Sequence, residues 1–270
     1  MSERRIFVSA MRDEIDRGAV ALGLGVGYVP SSAMPLIAAE AGFSWLFVDL
    51  EHNALTSRDA AEVCMSALGC GVTPLVRLGR DEIHDGSRLL DNGAGGIIMP
   101  RVQNRGDAER LVSFCKYPPV GTRSWGGPSP HLGFPAAPAS SLMTSANERS
   151  LAVAMVESVS GLDRVEEIAA TPGLDAIFVG AIDLSVELGL GGDVTAPSAV
   201  EAVGRCASTA LKHGRLVGLG GVFGTKALPL YTNMGFQFVL GGIDYRLLTE
   251  AARNRIALLR EHWLGPADNL

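Results

Sequence analysis

Short apolar runs and longer amphipathic stretches alternate along this 270-residue chain from about position 20 onward. Runs such as Trp45-Leu46-Phe47-Val48 and Leu151-Ala152-Val153-Ala154-Met155-Val156 are too short for a core helix. They are also too continuous for a strand with one wet face, so they read as strands buried on both sides. Eight are expected, at 20–25, 45–49, 73–77, 96–99, 151–156, 176–179, 216–219 and 238–240. Each precedes a stretch with helical spacing of apolar positions: 34–41, 57–68, 81–90, 105–114, 162–170, 198–213, 225–234 and 245–263. Eight strand-then-helix pairs predict an α/β fold, a closed (β/α)8 TIM barrel forming a single domain.

One stretch breaks the rhythm. Residues 117–141 carry Pro118, Pro119, Pro128, Pro130, Pro135 and Pro138 with Gly121, Gly126 and Gly127. Prolines at that density exclude a helix or a central strand, and the length exceeds that of an ordinary connection. A lid, an entrance wall and a subunit contact all fit it, and the sequence does not choose among them.

Composition then narrows the classes. With 47% hydrophobic and 19% charged residues, the chain can bury a large core and is not a disordered polymer. A net charge of −6 lacks the basic footprint of a nucleic-acid binder, leaving small molecules or other proteins as partners. Cys64, Cys70, Cys115 and Cys206 form no Cys-x-x-Cys pair, which fits reduced thiols and a cytoplasmic setting. The Gly-rich apolar patch 20–29 is too short to span a bilayer, and Asp13, Glu14 and Asp16 precede it where an export signal is basic. Neither membrane association nor export is expected.

In such barrels the chemistry gathers where the strands end at their C-terminal side. Strand two runs directly into Asp49, Glu51, His52 and Asn53; strand three ends in Arg77; strand five is followed by Glu157 and strand six by Gly180-Ala181-Ile182-Asp183. Each residue alone has an ordinary explanation. Asp183 could cap a helix, Arg77 could merely neutralise acids, and Glu157 and His52 could be solvated loop groups. Four loops placing charge on one rim is harder to attribute to accident. Glu157 and Asp183 offer hard oxygen donors suited to magnesium or manganese, with cobalt a further candidate. An ion held by two ligands keeps positions open and can stabilise an enolate as it forms, and Arg77 can add positive charge at the same oxygen. His52 titrates near neutrality and suits proton transfer, with Asp49 or Asp91 available to orient it.

Other chemistries find less support. A Schiff-base aldolase needs a lysine in the mouth; Lys116 and Lys212 fall near helix ends, and Lys226 reads as the start of a helix. Gly23, Gly25 and Gly27 lack the spacing of a dinucleotide fingerprint. The glycines of 218–224 and Gly241-Gly242 lie after strands seven and eight, where barrels often bind phosphate, and are a rival signal. His84, His131, His213 and His262 share no rim position.

The segments "AGFSWLFVDLEHN", "PLVRL", "LLDNGAGGIIMPRVQN", "YPPVGTRS", "AMVESVSGLDRVEEIAATPGLDAIFVGAIDLSVELG" and "GFQFVLGGIDYRLL" resemble, in this order, the metal-dependent pyruvate aldolases of the HpcH/HpaI aldolase and citrate lyase family. The resemblance covers about 23–260. It implies that Glu157 and Asp183 bind a divalent ion and that the pyruvate carboxylate lies near the backbone of Gly180, Ile182 and Asp183. It also implies Arg77 at the keto oxygen, with His52, supported by Asp49 and Asp91, as the acid/base. It further implies a homohexamer in which the last helix, 245–263, exchanges between subunits. Departures from the pattern are Met155 where the family often has Gln, Ala181-Ile182 where it often has Pro-Ala, and Gly25 or Val26 in place of a Trp. The function so implied is reversible cleavage of a 4-hydroxy-2-keto acid into pyruvate or hydroxypyruvate and an aldehyde. An oxaloacetate decarboxylase-type lyase using the same enolate, and a non-catalytic barrel binding a phosphorylated ligand, are the alternatives.

Overall fold

In the computed structural model, which describes residues 10–263, all eight expected strands form. They are β1 (Ala21–Val26), β2 (Trp45–Asp49), β3 (Thr73–Arg77), β4 (Gly96–Met99), β5 (Leu151–Val156), β6 (Ala176–Gly180), β7 (Leu216–Gly220) and β8 (Phe238–Ile243). Every neighbouring pair is parallel, and β8 returns to β1 to close the barrel. Because side chains alternate along a strand, each buried run feeds two cores. Leu46, Val48, Val76 and Ile97 face outward into the layer between strands and helices. Trp45, Phe47, Leu75, Ile98, Val153, Met155, Phe178 and Phe238 face inward.

The lumen is filled by interlocking large and small residues. Trp45 lies edge-on to Phe178 and Phe238, with centroids 6.2 Å and 5.6 Å away. A β-carbon on Gly23 would stand 2.1 Å from the Trp45 ring, so only glycine fits there. Met11 and Ile15, from a helix at Ala10–Asp16 that the sequence pattern did not reveal, join the same inner core.

Outside, the helix Ser57–Cys70 begins with a capping box between Thr56 and Asp59 and ends at Gly71, which is left-handed with φ 76°. Pro197–Lys212 lays a stripe of Ala199, Ala202, Val203, Cys206, Ala207 and Ala210 against the strands. Three expected helices are altered. The segment expected at 81–90 is a 3-10 turn, Arg80–Asp85, followed by a helix at Gly86–Asp91. The segment at 162–170 divides into Val159–Asp163 and Val165–Ala169 around Arg164. Only Leu228–Tyr231 of the 225–234 segment is helical, because Pro229 is tolerated in a first turn but not inside a helix.

The proline-rich stretch is not a lid over its own barrel mouth. It packs Tyr117 and Leu132 against Leu142 and Ala146 of the helix Ala139–Arg149, with Trp125 beside them. Lys116, at its root, donates to the carbonyls of Asn147 and Ser150 just before β5, which places the stretch at the N-terminal end of the strands. The C-terminal helix, Asp244–Trp263, is a different matter: every side chain after Asp244 is exposed, including Leu247, Leu248, Ile256, Leu258, Leu259 and Trp263. Leu22 on the outer face of β1, and Leu36 and Ile37 on the helix Met34–Glu40, are exposed as well. Among the described residues no helix is long and apolar enough to cross a membrane.

Candidate active site

Alternation delivers the charges to the mouth. Continuing the inward series of β2 past Trp45 and Phe47 reaches Asp49, that of β3 past Leu75 reaches Arg77, and that of β5 past Val153 and Met155 reaches Glu157. The register of β2 and β3 sets Asp49 directly beside Arg77. The guanidinium accordingly donates through Nε to Asp49 Oδ1 at 2.9 Å and through Nη2 to Oδ2 at 2.8 Å. Both side chains are largely buried, and bidentate geometry of this kind is the strong form of the pair. Burial works against the charged arginine, but the hydrogen bond and charge of Asp49, with Glu51 and Glu157 nearby, outweigh it and raise its pKa further.

Glu157 is buried beside this pair. Its Oε1 accepts the backbone N–H of Arg101 at 2.9 Å, while its Oε2 is enclosed and has no hydrogen-bond partner. Arg101 adopts φ 50°, an uncommon conformation for a side-chain-bearing residue. Desolvation pushes the Glu157 pKa up to about 7; Arg77 opposes the rise and Asp183 reinforces it. Gly180 makes the space, since a β-carbon there would come within 2.8 Å of Glu157 Cβ and Oε2. Asp183 lies in the first turn of the helix Ala181–Glu187, faces the cleft, and makes no side-chain hydrogen bond or ion pair among the described residues. It does not cap that helix, whose N-cap position is Gly180.

Glu51, one of the two carboxylates beside His52 in sequence, joins the group. Its Oε2 is 3.2 Å from Arg77 Nη1, an ion-pair distance without hydrogen-bond alignment. Burial raises its pKa, against the pull of Arg77 and His52. His52 stands exposed at the rim with Nε2 3.7 Å from Glu51 Oε2.

Two expectations are corrected. Asp49 does not orient His52: its oxygens are taken by Arg77, by the Glu51 amide at 3.1 Å and by Asn53 Nδ2 at 2.8 Å. Asp91 is not at the mouth at all. It ends the helix Gly86–Asp91, which runs back against the strands, and its Oδ1 accepts from Arg123 at 2.5 Å. The carboxylate nearest the imidazole is that of Glu51.

The cleft has a volume of about 170 Å³ and is lined by Asp49, His52, Arg77, the 180–183 turn and a ring of apolar groups that includes Phe47, Phe178 and Leu240. Met155, standing where the related pattern has Gln, places its sulfur 4.0 Å from Arg77 Nη1. Arg246, from the first turn of the C-terminal helix, also lines the cleft and was not foreseen. None of Lys116, Lys212 and Lys226 does. Gly218 and Gly220 admit the rings of Phe238 and Phe178, which accounts for their small size by packing.

Among the described residues no set of three metal-binding side chains converges. The pair Glu157 and Asp183 nevertheless suits a divalent cation. It joins an orphaned buried oxygen to a free exposed carboxylate, both hard donors, around space that Gly180 leaves open.

A family model described as HpcH/HpaI aldolase/citrate lyase matches residues 27–251. A 4-hydroxy-4-methyl-2-oxoglutarate aldolase of Chaetomium globosum is 33% identical, over 87% of this chain and 89% of that protein. A hydroxypyruvate/pyruvate aldolase of Chromohalobacter salexigens is 34% identical, over 94% of this chain and 97% of that one. The crystal structure of an HpcH/HpaI aldolase from Desulfitobacterium hafniense DCB-2 superimposes with a TM-score of 0.87 at 27% identity, covering 96% of this chain and 98% of the other.

Proposed function

We propose, from the premise that the chain belongs to the HpcH/HpaI aldolase/citrate lyase family, that this lyase is a divalent-metal-dependent aldolase. It reversibly cleaves 4-hydroxy-2-keto acids to pyruvate or hydroxypyruvate and an aldehyde. The observation that carries the reading is the imbalance at the mouth: Asp49, Glu51 and Glu157 surround one buried cation, Arg77, Asp183 adds its charge beside Glu157, and Glu157 keeps an oxygen without a partner. Buried carboxylates left in that state need a further positive charge.

Glu157 and Asp183 would hold the ion. A magnesium, manganese or cobalt ion there would polarise the 2-keto oxygen and spread the negative charge of the enolate. The keto-acid carboxylate is received by the first amides of the helix Ala181–Glu187, at Ile182 and Asp183, which have no acceptor within their own helix; Gly180 lets the substrate approach. Arg77, fixed by Asp49, faces the keto oxygen. His52 takes the proton of the C4 hydroxyl, directly or through water, with Glu51 stabilising the imidazolium. The C3–C4 bond then breaks, its electron pair moves to C2–O as the enolate, and the aldehyde leaves. Protonation at C3 completes the pyruvate methyl.

The exposed surfaces support an oligomeric reading. The apolar row on the C-terminal helix and the open patch at Leu22, Leu36 and Ile37 exceed what a monomer ordinarily shows to water. They support a homo-oligomer, read as a hexamer, in which this helix is exchanged between subunits. Four free cysteines, Cys64, Cys115 and Cys206 of them buried, support a reducing, cytoplasmic setting.

The test is deuterium exchange into the pyruvate methyl, followed by NMR with manganese and again after chelation. Exchange that requires the metal is expected. Exchange indifferent to the chelator, or none under any condition, overturns the reading.

A further inference from the structure

Two arginines line the cleft, and their situations differ. Arg77 is held by Asp49 through Nε and Nη2, with Glu51 at ion-pair distance from Nη1. Arg246 has no carboxylate within ion-pair distance among the described residues. Its Nε donates to the hydroxyl of Tyr245 at 2.9 Å, and its guanidinium lies 5.4 Å over the ring of Phe223. These contacts fix the plane of the side chain and leave both Nη groups, with their four N–H bonds, unspent. Nearby cleft residues offer them nothing: Phe223, Leu240 and Ile243 are apolar. Asp244, two residues earlier, is itself engaged by the amides of Gly27, Tyr28 and Val29 at 3.0, 2.9 and 2.8 Å.

We infer that Arg246 determines specificity by binding a carboxylate carried on the aldehyde-derived half of the substrate. The preferred aldols are therefore dicarboxylates, and the preferred acceptors in the reverse direction are oxo acids rather than neutral aldehydes. This rests on the aldolase reading above. A planar guanidinium steadied by an aromatic face and a phenol presents two parallel N–H bonds, the geometry that a carboxylate accepts in a fork. The keto-acid end has its own proposed anchor at Ile182 and Asp183, so the charge of Arg246, elsewhere on the cleft lining, is free to select the second component. A neutral acceptor leaves that charge unmatched and gains nothing from it.

The experiment measures aldol synthesis from pyruvate with glyoxylate and with glycolaldehyde, on the full-length metal-loaded protein, for wild type, Arg246→Met and Arg246→Gln. The ratio of kcat/KM for glyoxylate to that for glycolaldehyde should fall at least tenfold in both variants, mainly through the KM for glyoxylate. Raising the ionic strength should weaken wild-type use of glyoxylate and leave glycolaldehyde little affected. A ratio within twofold of wild type overturns the inference, including the case in which both acceptors lose activity together, since Arg246 would then serve the keto acid or the fold. Pyruvate methyl exchange by the wild type is recorded in parallel. Its absence defeats the aldolase reading itself, whereas its presence with an unchanged ratio defeats only the role of Arg246. If Arg246→Met does not fold, Arg246→Gln and the wild-type salt dependence still decide.

Discussion

The two ends of this barrel use the same kinds of side chain to opposite purposes. At the N-terminal end, Lys116 pairs with Asp175 at 2.8 Å while donating to two carbonyls, and Arg123 pairs with Asp91 and stacks on Tyr117. Asp175 and Asp91 each have a base there, and among the described residues the one buried side-chain donor without a partner is Arg123 Nε. At the mouth, Asp49, Glu51 and Glu157 crowd Arg77, two buried carboxylate oxygens lack hydrogen bonds, and Glu157 and Asp183 push against each other. Balanced charges hold the closed end together. The unbalanced set is costly for the protein alone and is explained only by something that arrives to complete it.

The contrast can be broken at several points. The largest effect is expected for Arg77→Ala, which should lower pyruvate exchange by about 10³-fold or more. Leaving Asp49 buried without its partner should also cost roughly 3–5 kcal/mol of stability, so exchange is measured below the lowered Tm. Glu157→Gln comes next. Metal affinity, followed by calorimetric titration with manganese, should fall about 100-fold, yet the metal-free variant should melt higher than wild type at pH 8. Lys116→Met should do the reverse, losing about 3 kcal/mol of stability in urea titration while manganese affinity stays within twofold. Should Lys116→Met alter metal binding, the two ends are not independent and the division fails.

A further test is a pH dependence with a definite sign. Burial raises Glu157 from the ordinary value near 4.5 to about 7, so between those values the folded state keeps a proton that the unfolded state has released. The stabilisation is complete below the lower value and is lost as pH rises through the upper one. Without metal, wild type should lose up to about 3 kcal/mol across this window relative to Glu157→Gln. A difference that is flat with pH would mean Glu157 titrates normally.

How far the chain could be read in advance also divides by region. The barrel was legible because fully buried strands write themselves as unbroken apolar runs, and period-two alternation carried the inward series to Asp49, Arg77 and Glu157. Asp91 was misplaced although the topology held the answer: a helix following a strand runs back to the opposite end, so the last residue of Gly86–Asp91 cannot face the mouth. Glu51 was legible only as one of the carboxylates beside His52, because it lies in a bend where no periodicity sets side-chain direction. Arg246 was invisible for a related reason. It looks like one more solvated charge on an amphipathic helix, and only the position of that helix's first turn over the cleft gives it meaning. The short helix Ala139–Arg149 was hidden by Pro138, which ends the irregular stretch and stands as its N-cap.

The stacked rings of Trp45, Phe47, Phe178 and Phe238, closed from below by Met11 and Ile15, turn the lumen into a blind alley. Whatever is bound deepest must wait for its neighbour to depart before it can escape. On the proposed aldolase reading the aldehyde should leave first and the keto acid follow, so pyruvate is expected to inhibit competitively against the aldol and the aldehyde noncompetitively, which product-inhibition kinetics would check.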